Sequence, residues 1–108
     1  MFKLTKGKSG KYHFALHPRN KQVVLTSQGY NGRAAAVNGI ASVRKNASAR
    51  ERFETRTAKN GKSYFVLLAK NGEIIGQSQM YAHRSSAYTG IKSVMANALV
   101  AGTVTAND

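Results

Sequence analysis

The sequence predicts an α+β fold: tandem β-β-β-α repeats plus a short C-terminal strand, forming one antiparallel sheet with two helices on one face. Three observations predict it. Sliding the chain by 51 positions aligns residues 2–47 with 53–98 without a gap, and 18 of those 46 positions are identical. Within each copy the apolar period changes from two to 3.6. The same offset carries Phe53 to Val104, so a third copy begins and stops at Asp108. A ~50-residue half buries little surface alone, so the copies are expected to share one core as a single domain. Its parts are repeat one (2–51), repeat two (53–102) and a closing strand (103–107).

Each copy opens with a strand, Phe2–Lys6 or Phe53–Thr57. In the second strand Tyr12, Phe14 and Leu16 alternate with Lys11, His13, Ala15 and His17, which marks one apolar face. The second copy places Ser63, Phe65 and Leu67 on that face. Ser9-Gly10 and Asn60-Gly61 precede these strands as hairpin signals. Asn20-Lys21 and Asn71-Gly72 mark the next turn, before third strands at Gln22–Ser27 and Glu73–Ser78. Helices follow. Ala36, Ile40, Val43 and Ala47 form one helical stripe, repeated as Ala87, Ile91, Val94 and Ala98. Gly39 and Gly90 lie on that side. A mid-helix Gly costs about 1 kcal/mol against Ala, so its presence in both copies signals a close approach of backbone to a neighbour. Asn46 and Asn97 end the helices; Gly32 and His83 occupy the N-cap positions. A closing strand is expected near Thr103–Ala106.

Several function classes are excluded or disfavoured. The chain has no Cys, so disulfides, thiolate metal sites and Cys nucleophiles are excluded. No apolar run exceeds Phe65–Ala69, too short for a membrane span or a signal-peptide core. Only Glu51, Glu54, Glu73 and Asp108 are acidic, and no carboxylate pair presents itself for acid–base work. His13 and His17 have metal-pair spacing only on a helix. On a strand they stand ~13 Å apart, too far for one ion. Gly7-Lys8-Ser9 resembles the end of a P-loop, but position 2 is Phe where the motif needs Gly, and a strand follows instead of a helix. The expectation is a cytoplasmic non-enzyme with no metal or cofactor.

Charge is the remaining signal. Lys and Arg number 17 against 4 acidic residues, a formal net charge of +13. Such a balance attracts polyanions, nucleic acid first. Tracing the meander puts Lys8 and Lys11 at the same end as Arg33 and the start of the first helix, a seat for phosphate. Lys59, Lys62 and Arg84 repeat the arrangement. Arg44 and Lys45, followed by Arg50, Arg52 and Arg56, add a second basic run. No helix is free to act as a recognition helix, because both apolar stripes are needed by the core, so backbone binding without strict sequence preference is expected. Tyr64 is a candidate to stack on a base. The competing expectation is a protein-interaction or self-association module using Tyr64, Val66, Leu68 and Ile75 as an exposed apolar patch. The partners expected are therefore DNA or RNA, or else a homodimer mate or another protein, with no membrane insertion.

The phrases Asn60-Gly61-Lys62, Ser27-Gln28-Gly29-Tyr30 with Ser78-Gln79-Met80-Tyr81, and Gly39-Ile40-Ala41-Ser42-Val43 with Gly90-Ile91-Lys92-Ser93-Val94 resemble the YegP-like family. The resemblance covers residues 2–107. It implies repeats of three strands, a helix and a further strand, with C-terminal strands exchanged between repeats in a single sheet. Pairing of two chains is implied for single-repeat members, and no activity comes with the resemblance. The family usually has Ser at the helix start, where this sequence has Gly32 and His83.

Overall fold

Alternation along the strands and the two helical stripes converge on one interior. Phe2, Leu4, Phe14, Leu16, Leu25, Phe53, Phe65 and Leu67 from the strands are buried in one cluster with Ala36, Ile40, Val43, Ala87, Ile91 and Val94 from the helices. In the computed structural model, which describes residues 1–17, 23–98 and 102–106, the elements run β1 (Phe2–Lys6), β2 (Tyr12–Leu16), β3 (Leu25–Thr26), α1 (Arg33–Asn46), a 3-10 turn (Arg50–Arg52), β4 (Phe53–Thr57), β5 (Ser63–Leu68), β6 (Ile74–Gln77), α2 (Arg84–Asn97) and β7 (Thr103–Ala106). Both helices share that cluster and so cover the same face of the sheet.

The sheet has seven strands in the order β4-β5-β6-β3-β2-β1-β7. Six of them form the expected antiparallel array. The two meanders meet where β3 pairs with β6 through Thr26 and Gln77. The seventh strand is parallel to β1, with Lys3 opposite Val104. The topology explains this direction. The chain leaving α1 becomes β4 in the second half of the sheet. The chain leaving α2 crosses to the first half, where β1 already fills the matching place. It lies outside β1 and runs the same way. The strand after each helix thus joins the other copy, as the family resemblance implies.

Local chemistry is duplicated with the fold. The Gly10 N–H donates to the Gly7 carbonyl (3.0 Å) and the Gly7 N–H to the Lys11 carbonyl (2.7 Å). That closes a three-residue loop whose last residue, Gly10, has φ +85°, a conformation Gly adopts without a Cβ penalty. Gly61 repeats it at φ +83°, and Asn60 Oδ1 accepts the Lys62 N–H at 3.0 Å. Ser27 Oγ accepts the Phe14 N–H at 2.9 Å and donates to the Gln28 carbonyl at 2.8 Å. Ser78 does the same for Phe65 and Gln79, at 2.9 and 2.8 Å. Asn46 and Asn97 close the helix ends by donating to the carbonyls of Ser42 and Ser93, at 2.9 and 2.7 Å.

The close approach at the mid-helix glycines is to the copy's own aromatics. A Cβ on Gly39 would sit 2.5 Å from the Tyr30 hydroxyl and 2.9 Å from the Phe14 ring. On Gly90 it would meet Phe65 at 2.9 Å and the Tyr81 hydroxyl closer still. Tyr30 stacks on Phe14 and Tyr81 on Phe65, with ring centroids 6.0 and 6.4 Å apart.

The expected third strands are shorter than the sequence pattern, and the expected turn at Asn20–Lys21 lies outside the described residues, as does position 107. The apolar patch needs correction. Ile75 is not a surface residue: it falls at a register shift between Leu67 and Leu68, and the extra residue turns into the core. Val66 does face the open side of the sheet, but it is fully buried, between Glu54 and Gln77 in register. Tyr64 and Leu68 are half-buried. Ile74, opposite Leu68, is the exposed apolar residue of that region.

Candidate nucleic-acid interface

Neighbouring strands are antiparallel from β1 across to β4. The β1–β2 and β5–β6 turns therefore point to one end of the sheet, and the β4–β5 turn points to the other. The first cation set follows from this. Lys8 is exposed in the β1–β2 loop. Tyr12 and Tyr30 exchange backbone hydrogen bonds at 2.8 Å, which brings Lys11 beside Gly29, four residues before Arg33 opens α1. Arg33 is exposed. The second set is built alike. Ser63 and Tyr81 exchange backbone bonds (2.8 and 2.7 Å), so Lys62 lies beside the segment entering α2 at Arg84. Lys59, Lys62 and Arg84 are all exposed. The expected gathering of cations at each helix mouth is thus present in the backbone layout, and the two sets face opposite ends of the sheet.

Gly32 and His83 are the N-caps, as expected. Neither makes a side-chain cap, and neither first turn holds an acidic residue. Among the described residues, no carboxylate from the first turn of either helix faces its positive end.

Arg44 and Lys45 stand in the last turn of α1. They part company there. The Arg44 guanidinium lies over the Phe2 ring, 5.1 Å from its centroid. Lys45 lines a groove of about 400 Å³ with Ser42, Asn46, Ala49, Arg52, Ala69, Lys70 and Asn71. The groove joins the consecutive α1 and 3-10 turn to the β5–β6 loop, which is distant from them in sequence. Arg50 turns back on its own segment, donating to the Phe53 carbonyl at 3.4 Å and lying 5.9 Å from the Tyr88 ring. Arg56 is held by Glu54 at 2.7 Å, the one ion pair among the described residues. That hydrogen bond raises the Arg56 pKa above its ordinary value. Arg50 and Arg56 are therefore engaged locally. His13 and His17 line an open groove with Lys3, Thr5 and Thr26 on the uncovered face of the sheet. No group of three His, Asp or Glu suited to a metal ion occurs among the described residues. No described helix is long and apolar enough to cross a membrane.

The fold and these surfaces define a class: a basic α+β protein in which two copies of one unit complete a shared sheet. Residues 8–54 and again 58–104 match the family described as a domain of unknown function, DUF1508. The chain belongs to that family, whose relatives include the UPF0339 proteins. It is 49% identical over 96 residues to the UPF0339 protein YegP of Escherichia coli K12, covering 89% of this chain and 87% of the relative. It is 47% identical over 93 residues to the UPF0339 protein PA0329 of Pseudomonas aeruginosa, covering 86% and 84%. The solution NMR structure of the E. coli protein of unknown function yegP superposes with a TM-score of 0.91 at 45% identity, over 96% of this chain and 90% of that one. The UPF0339 protein SO3888 of Shewanella oneidensis superposes at 0.90 and 40% identity, over 96% and 88%.

Proposed function

We propose that this protein binds nucleic acid through the phosphate backbone, without strict sequence preference and without catalysis, in the cytoplasm. One observation carries the reading. Most positions identical between the copies have a folding role: Phe14/Phe65, Leu16/Leu67, Ile40/Ile91 and Val43/Val94 fill the core, Gly39/Gly90 admit Tyr30/Tyr81, and Ser27/Ser78 hydrogen-bond the ladder. Lys8/Lys59, Lys11/Lys62 and Arg33/Arg84 are just as identical, yet they are exposed in both copies and fill no core. Their sharing of one end of each copy with an uncapped helix start supports a phosphate-binding role. The net charge of +13 supplies long-range attraction.

The test is a titration of DNA and RNA oligomers against salt. Binding is expected at low salt, weakening linearly in log–log form as salt rises. Replacing Lys11, Lys62, Arg33 and Arg84 together by Ala should flatten that slope by up to about four contacts' worth. Absence of binding at low salt, or a slope that the variant leaves unchanged, removes the proposal.

A further inference from the structure

The groove beside the C-terminal turn of α1 gathers cations that neither the core nor the helix-mouth sites use. Three cations enter it from three elements: Lys45 from α1, Arg52 from the 3-10 turn, and Lys70 from the β5–β6 loop. No carboxylate lines it among the described residues. None of the three cations has an ion-pair partner among the described residues. Polar donors join them. The Ser42 hydroxyl lies on the wall, and Asn71 spends its Oδ1 on the Glu73 N–H (3.0 Å), leaving its NH₂ as a donor. Three like charges around one concavity repel until an anion enters. The negative end of α1 opposes them with only about half a charge.

The pairing of Lys45 with Arg52 is not repeated in the sequence of the next copy. The positions matching Lys45 and Arg52 in the next copy are Ala96 and Thr103. Duplication of the fold alone does not account for it. Among the described residues the lining holds no aromatic ring, and its apolar groups are Ala49 and Ala69. A nucleobase would find no aromatic ring to stack on, only the Arg52 guanidinium. A volume near 400 Å³ falls within the range of small-molecule sites and exceeds the needs of one ion.

We infer that this groove, formed by Lys45, Arg52, Lys70, Ser42 and Asn71, is a separate binding site for a compact ligand carrying two or more phosphate charges. The site reads charge and hydrogen-bond acceptors and ignores any base. Arg52 supplies a planar fork suited to two phosphate oxygens, and the lysines act as point charges. This site does not depend on the nucleic-acid reading.

Inorganic pyrophosphate is the probe, followed by amide NMR shifts on the full chain. Saturable shifts are expected at Asn46, Ala69 and Asn71, at lower pyrophosphate concentration than any change at Gly10 or Arg33. The double variant Arg52→Ala, Lys70→Ala should weaken binding by at least about tenfold with its thermal unfolding unchanged. Lys8→Ala with Lys11→Ala should leave it intact. If the groove variant melts early, the charge-keeping Arg52→Lys is read instead, and a milder loss of affinity is expected from losing the fork. An oligothymidylate in a parallel titration separates the sources of phosphate. Pyrophosphate binding without oligonucleotide binding leaves this inference standing and removes the proposed function. No saturable shift with pyrophosphate, equal affinity in the groove variant, or groove shifts with the oligonucleotide alone would overturn it.

Discussion

Thr26 and Gln77 occupy the same position in the two copies, and each is the other's partner across the centre of the sheet. The Thr26 hydroxyl also donates to the Gln77 carbonyl at 3.2 Å. The rung they form runs outward through Ala15 and Lys3 on one side and Val66 and Glu54 on the other. Every residue on it faces its own repeat mate at equal remove, so the molecular pseudo-two-fold passes between Thr26 and Gln77.

That seam is a single bridging pair, which is little backbone bonding to hold two halves. The stronger tie is α1, which packs on β2 of its own copy and on β5 and β6 of the other. Thr26→Val should therefore cost no more than about 1 kcal/mol. Ile40→Ala, in the shared interior, should cost about 2–5 kcal/mol. Both variants should unfold in one transition, with far-ultraviolet circular dichroism and tyrosine fluorescence coincident in urea. Two separated transitions would show that the halves are independent lobes.

Gly39→Ala sets two effects against each other. Alanine gains about 1 kcal/mol in helix propensity, while a methyl forced against Tyr30 and Phe14 costs about 1–3 kcal/mol. The net expectation is a loss, read as a lower urea midpoint. Tyr30→Phe removes the nearest atom, so Gly39→Ala should cost less in that background. Additivity of the two changes would refute the steric account.

Ser78→Ala leaves the Phe65 N–H without its acceptor in a buried setting. A cost of about 1–3 kcal/mol is expected, together with faster hydrogen exchange at the Phe65 amide. Ser27→Ala should cost less, because its bond to Phe14 is only partly buried.

Burial raises the Tyr30 pKa above 10.0. The neutral phenol is the form that the fold tolerates. Tyr30 in the native state therefore keeps its proton after the unfolded chain has begun to lose it. Below about pH 10 the group leaves stability unchanged. As pH rises from there through the native pKa, stability falls. Urea midpoints at pH 8 and pH 11 should differ less in Tyr30→Phe than in the parent. An equal alkaline loss in both would assign the effect to other groups.

How much of this was legible in the sequence follows from the range of each interaction. Tyr12, Phe14 and Leu16, and the Ala36–Ala47 stripe, act within one element, and their periods announced it. Gly39 announced a close approach without naming Tyr30 as the neighbour, because that contact spans two elements. Ile75 was misplaced because a register shift depends on the partner strand. Val66 sits on the face that alternation assigns, but its burial depends on neighbours two strands wide. The parallel direction of β7 is a property of crowding at β1, which no local pattern records. The helix-mouth cations could be traced from the meander alone. The groove of Lys45, Arg52 and Lys70 could not, since a loop 18 residues beyond Arg52 supplies one wall.

The placement of β7 outside β1 gives a duplicated chain two unlike flanks. One ends in a strand running with its neighbour. The other ends in β4, whose Phe53 carbonyl is already taken by Arg50. A molecule assembled from equivalent modules is thereby directional. A companion strand docking laterally would meet different donors and acceptors on the left and on the right, so a filament joining the β7 flank of one copy to the β4 flank of the next has a head and a tail.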